Sequence, residues 1–243
     1  MYHHLHGEMN QGVSVRSLDA RALFEVSDDT IDTEIVRRFD EGRVKLIFDS
    51  GADSDDSTSA WKPITPRTGA FDLGLSALCG CTGLIVYSQN GAYGAHFFEA
   101  AAWGRGDAAF KKHVEYFLKN NVKGRGGLAE FSARLTRGNA DVAAYILTPQ
   151  QELPDDAEGA PGWVENELMY GDQVQRLVDL LPEIIPQLRG HIQVNHYQAL
   201  DGMTNDDGED VNPGQAILLD TTARGRILLQ YDPSNNGART TIG

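Results

Sequence analysis

The sequence predicts an α+β protein, a mainly antiparallel β-sandwich flanked by helices. Three observations carry that expectation. Short apolar or alternating runs recur along the chain, separated by Gly, Pro and Asn-Gly turn signals. Two or three stretches with helical apolar spacing interrupt them. The order mixes hairpins with helices instead of alternating strand and helix, which disfavours a doubly wound parallel sheet. Neither a repeat nor a linker divides the 243 residues. One domain over 1–243 is therefore expected, with a loose N-terminus (1–11) and a loose C-terminal tail (233–243).

The elements follow in chain order. "GVSVRSLDARALFEV" reads as one or two strands. "DDTIDTEIVRRFDEG" starts with Asp and Thr caps and spaces Ile31, Ile35, Val36 and Phe39 as an amphipathic helix. "RVKLIFDS" is a strand, and "GADSDDSTSAWKPITPRTG" reads as a polar loop punctuated by Pro63 and Pro66. "GLIVYS" and "AYGAHFF" are strands joined by the turn signal "QNG". "DAAFKKHVEYFLKNN" gathers Phe110, Val114, Phe117 and Leu118 on one helical face, with Asp107 as the expected cap. "KGRGGL" lacks the Lys-Ser/Thr ending of a phosphate loop and reads as a turn. "DVAAYILT" is a strand and "PQQELPDDAEGAPGW" a long loop. "GDQVQRLVDLLPEIIPQL" is a helix interrupted at Pro182 and ended near Pro186. "HIQVNHYQAL" is a strand, "QAILLDTTARGRILLQYD" a hairpin around "ARGR", and "PSNNGARTTIG" a tail.

Composition narrows the function. The formal net charge is −14. Phosphate neutralisation needs clustered Lys and Arg, so nucleic acid is not expected as the main partner. An anionic membrane surface is disfavoured for the same reason, and no apolar run approaches the ~20 residues of a membrane span. No basic stretch followed by an apolar one opens the chain, so no export signal is expected and action in the cytoplasm is the default reading. His3, His4 and His6 read as a solvated terminus. Cys79 and Cys81 are the two cysteines. A C-x-C pair closes a short, strained ring, so reduced thiols are expected.

The stretch "CGCTGLIVYSQNGAYGAHFFE" holds both cysteines and His96. Glycines at 80 and 83 flank Cys81 and Thr82 and let backbone N–H groups crowd toward one point, as an oxyanion site requires. If Asn90-Gly91 forms the turn, His96 lies opposite Ile85, on the face that Cys81 shares. Cys81 then stands four residues beyond Ile85, roughly 13 Å along a straight strand, and a direct bond needs the chain to turn back at Gly83. Spacing alone leaves a buried core cysteine and a satisfied histidine as the alternative. His191 and His196 fall on opposite strand faces and cannot share a metal. His196 is the better catalytic candidate of the two, should it pack beside the Cys81 hairpin. "CGC" with His96 lacks the C-x2-C spacing of a zinc site. Trp61, Trp103 and Trp163 read as packing residues, and the acidic loops "DSDDS" and "NDDGED" as solvated.

The same stretch resembles the active-site hairpin of the CheD-like glutamine deamidase superfamily, which includes the chemoreceptor deamidase CheD, the catalytic domain of cytotoxic necrotizing factors and Burkholderia lethal factor. "LCGC" stands where that family has its small-residue turn, "TGLIVYS" its strand, and "AYGAHFFE" its histidine strand. The resemblance covers Leu73 to Glu99. It implies Cys81 as nucleophile, His96 as base, backbone N–H groups at Gly80 and Thr82 as oxyanion donors, and no metal or organic cofactor. It implies hydrolysis of a glutamine side-chain amide on a protein substrate, by an enzyme of effector or toxin type. The family's threonine six residues before the cysteine is replaced by Leu75, so Ser76 is the expected third catalytic residue, with a backbone carbonyl as its substitute. A scaffold retained for binding without catalysis, and a transglutaminase or other cysteine hydrolase, are the alternatives.

Overall fold

The computed structural model describes residues 28–47, 57–76, 78–150, 168–199, 203–204, 210–211, 224–233 and 237–242. The strands expected between 12 and 26, Trp163, and most of the two acidic loops lie outside them. The described elements stack as helix, sheet, sheet, helices.

A five-stranded sheet lies at the centre. Its order is β2 (Thr58–Pro63), β5 (Gly91–Phe97), β4 (Thr82–Ser88), β6 (Val142–Gln150) and β7 (Ile192–Gln198). Every residue of β4 and β5 is buried, because both faces of this sheet are covered. That explains why "TGLIVYS" is a near-continuous apolar run without clean alternation. Leu84 and Val86 face the helices, together with Tyr93, Ala95 and Phe97 of β5. Ile85, Tyr87 and Ala92 face the second sheet. The helical layer is built from α2 (Asp107–Phe110), a π-helical stretch Lys111–Tyr116, α3 (Phe117–Lys119), α4 (Leu128–Leu135) and α5 (Gly171–Ile184). It delivers Phe110, Val114, Phe117, Leu118, Leu177 and Leu181 to the first core. Each such side chain contributes about 1.5–3 kcal/mol by leaving water.

The second sheet has the order β1 (Val44–Leu46), β3 (Phe71–Leu75), β10 (Ile227–Asp232) and β11 (Gly237–Ile242). Alternation splits β10 between two cores. Ile227 and Leu229 pack between the sheets, while Leu228 packs outward with Ile35 and Val44. Ile35 belongs to α1 (Asp28–Asp40), which covers that outer face and ties to it through Arg38 and Asp72 at 2.8 Å. The short strands β8 (Met203–Thr204) and β9 (Asp210–Val211) pair with each other. No helix among the described residues is long and apolar enough to cross a membrane.

The α+β class and the mainly antiparallel pairing hold, with two parallel ladders, β1–β3 and β6–β7, among the described strands. Several local expectations fail. Thr58–Pro63 is a strand, where a loop was expected, because Trp61 packs on Phe131 and the backbone completes the edge of β5. Pro63 falls at the last paired position of an edge strand, where a missing N–H is tolerated. Asp107 does not cap its helix. Gly106 is the cap residue, and Asp107 pairs with Lys111 and Arg176. The helix α5 continues through Pro182, which stands close enough to its end to interrupt little. The hairpin around "ARGR" is not made with β10, because β3 and β11 occupy both of its edges. The partner of β10 is Gly237–Ile242, where a loose tail was expected.

Candidate active site

The hairpin β4–β5 turns at Gln89 and Asn90, with Ser88 opposite Gly91. The expected Asn90-Gly91 turn is displaced by packing. A Cβ at Gly91 would stand 2.3 Å from the Trp61 ring, so glycine is needed inside the ladder. The Asn90 side chain donates to the carbonyls of Leu135 and Arg137, 3.2 and 2.8 Å away. The register consequently shifts by two residues, and His96 lies opposite Gly83 rather than Ile85.

This shift shortens the offset between the two candidate residues along the hairpin. Cys81 now stands two residues beyond the partner of His96, roughly 7 Å along the strand in place of 13 Å. Both belong to the face between the sheets. Cys81 packs against the core of Ile85 and Tyr87, and His96 shares the alternation of Ala92 and Gly94. Diagonal neighbours of this kind are within reach of long side chains. Thr58 of β2 lies on the other side of His96 and donates its hydroxyl to the Ile47 carbonyl at 2.8 Å. The ring of Phe98 lies 4.4 Å from the imidazole, centroid to centroid.

The turn before β4 is held by residues remote in sequence. Gly80 has φ 142°, and a Cβ there would fall 2.0 Å from Glu99 Oε2. Only glycine fits. The Gly80 N–H donates to Tyr197 Oη at 2.8 Å, and Tyr197 O–H donates to the Cys81 carbonyl at 2.8 Å. Tyr170 O–H donates to Glu99 Oε1 at 2.5 Å. The backbone N–H of Glu99 favours the thiolate form of Cys81.

Electrostatics favour a neutral pair at rest. Burial pushes the Cys81 thiol up to about 12; the Glu99 N–H opposes this, and Cys79 and the Glu99 carboxylate add to it. Burial also raises Cys79, with Glu99 as the second cause. Burial lowers the His96 imidazole to about 4. Cys81 nevertheless keeps some contact with solvent, whereas His96 is 5% exposed.

Cys81 and His96 thus share the face between the sheets, offset by two residues along the hairpin. Gly80 spends its N–H on Tyr197 and is no oxyanion donor in this arrangement. Thr82 opens β4, and its hydroxyl is bonded to Thr148 Oγ1 at 3.0 Å. Leu75, not Ser76, packs between the sheets against Gly83; Ser76 follows the end of β3, half-buried. His196 is exposed, and it is its neighbour Tyr197 that reaches the hairpin. Glu99, Tyr170 and Tyr197 escape sequence reading. Tyr197 is 116 residues from Cys81, and no local pattern announces a contact of that span.

No protein-family model matches the sequence, and neither the curated proteins nor the solved structures contain a match.

Proposed function

We propose that the protein is a cysteine-dependent amidohydrolase that converts a glutamine side chain of a protein substrate to glutamate. The observation that carries this reading is the β4–β5 register, which sets Cys81 and His96 diagonally on one face. In the reaction, neutral His96 takes the Cys81 proton as the sulfur attacks the carboxamide carbon. Ammonia leaves with the proton returned by His96, and a thioester remains. His96 then deprotonates a water molecule, which attacks the thioester and releases glutamate and the free thiol. The Glu99 N–H, which favours negative charge at the sulfur, is the proposed donor to the oxyanion. One such donor is worth about 3–4 kcal/mol of transition-state stabilisation. Because the pair is neutral at rest, His96 acts as a base in the step itself and does not hold a preformed thiolate.

The test is incubation with glutamine-bearing proteins, reading ammonia release and a mass gain of ~1 Da per modified site. Cys81→Ser is expected to abolish both while Cys79→Ser retains them. Native turnover in Cys81→Ser, or equal loss in the two variants, would overturn the assignment.

The burial that raises the thiol and lowers the imidazole favours a second reading, a binding module of the same architecture without catalysis. Selective alkylation of Cys81 near neutral pH, dependent on His96, supports the enzyme. A Cys81 that reacts only after unfolding supports the module.

A further inference from the structure

We propose that Tyr197 is the positioning residue of the nucleophile's turn, holding Cys81 on the face it shares with His96 from β7 at the edge of the central sheet. The catalytic part of this proposal rests on the function proposed above; the structural part does not. Residues 79–81 lie outside every ladder, between a strand of one sheet and a strand of the other. Gly80 sits at φ 142°, a conformation only glycine adopts readily, so the backbone has little intrinsic reason to stay there. One phenol bonds it directly at two points. Tyr197 Oη accepts from the Gly80 N–H and donates to the Cys81 carbonyl, each at 2.8 Å. A single oxygen therefore ties together the two peptide groups that flank the Gly80–Cys81 linkage.

The phenol is itself well fixed. Tyr197 is 4% exposed, and its ring packs in the core between the sheets with Leu147 and Tyr145. Its strand β7 pairs with β6, which pairs with β4, so the clamp returns to the strand that Cys81 begins. Burial and the neighbouring Cys81 push the phenol's pKa well above its ordinary value, which keeps its proton in place as a donor. Both hydrogen-bonding roles of the hydroxyl are used on the same turn. Phenylalanine preserves the packing and removes both.

The variant Tyr197→Phe tests this, with Tyr87→Phe as control. Tyr87 lies in the same inter-sheet core, but its hydroxyl meets Tyr145 and not the turn. In the folded proteins, the ratio of Cys81 to Cys79 alkylation by iodoacetamide is read by peptide mass spectrometry. Tyr197→Phe is expected to raise that ratio about tenfold, the change in loop opening expected for losing roughly one net hydrogen bond. Tyr87→Phe is expected to leave it unchanged. With a deamidation substrate, Tyr197→Phe is expected to lower kcat by about ten- to a hundredfold with KM little changed, the signature of a displaced reacting group. An unchanged alkylation ratio, or the same change in Tyr87→Phe, would overturn the proposal. Should the parent protein show no deamidation, the alkylation arm still decides the clamp, and only the proposed function falls. If Tyr197→Phe does not fold, hydrogen exchange at the Gly80 amide of the parent protein decides instead. That amide is expected to be protected by about a hundredfold or more, although it lies outside any strand; free exchange would refute the clamp.

Discussion

His96 sits 5% exposed against the ring of Phe98, where an imidazolium would lack the water that solvates it. Its ordinary value of 6.5 falls to about 4 for that reason. In the unfolded chain the imidazole binds a proton below pH 6.5, while the folded protein refuses it until about pH 4. The fold's stability therefore declines as pH falls through that window, by about 3 kcal/mol in all. His96→Gln is expected to remove this part of the acid sensitivity. Urea denaturation of both proteins at pH 7 and pH 4.5 checks it, and parallel losses in the two would show that His96 contributes nothing. The same shift keeps the imidazole a base throughout the neutral range. Deamidation by the pair should accordingly hold its rate down to about pH 5 and fall only below it.

The hairpin β4–β5 shows how an element's register is decided by its neighbours. Asn90-Gly91 has the composition of a tight turn, yet neither Gln89 nor Asn90 takes the positive φ of a type I′ turn. The small residues of β5 serve packing instead. A Cβ at Gly94 would lie 2.2 Å from Ile47 Cδ1, so the strand leaves room for a side chain arriving from the second sheet. Gly94→Val is expected to destabilise by about 1–3 kcal/mol through overpacking. Ile47→Ala in the same chain should restore part of that loss, since the two sites touch. A thermal or urea titration of the four proteins in this cycle measures the coupling. Additive losses would mean that Ile47 is not what the glycine accommodates.

For the molecule as a whole, acidic residues are concentrated in three stretches of the sequence. The stretches 48–56, 151–167 and 200–223 hold sixteen Asp and Glu and neither Lys nor Arg. The described residues flanking them converge near Cys81. Ile47 bonds Thr58, the neighbour of His96; Gln150 pairs with Leu168 and Gln198; Gly225 bonds Leu78. The formal net charge of −14 favours approach of a basic protein surface. On the proposed function, kcat/KM for a basic target should fall severalfold as ionic strength rises from about 0.05 to 0.5 M, because the Debye length shrinks to a few ångströms. A neutral target should respond much less. Equal salt responses would remove long-range charge from substrate choice.

The amino-acid sequence by itself determined the α+β class, the helices over 28–40 and 107–119, the core strands "GLIVYS" and "DVAAYILT", and the face shared by Cys81 and His96. These depend on periodicity, which is local: a period of two assigns a face whatever the strand pairs with. Tertiary structure alone decided that Thr58–Pro63 is an edge strand, that Gly237–Ile242 closes the second sheet, and that His96 lies opposite Gly83. It also decided that Tyr197 and Glu99 hold the cysteine's turn. Those outcomes turn on contacts between residues dozens of positions apart, such as Gly91 with Trp61 and Gly80 with Tyr197, and no local propensity encodes them.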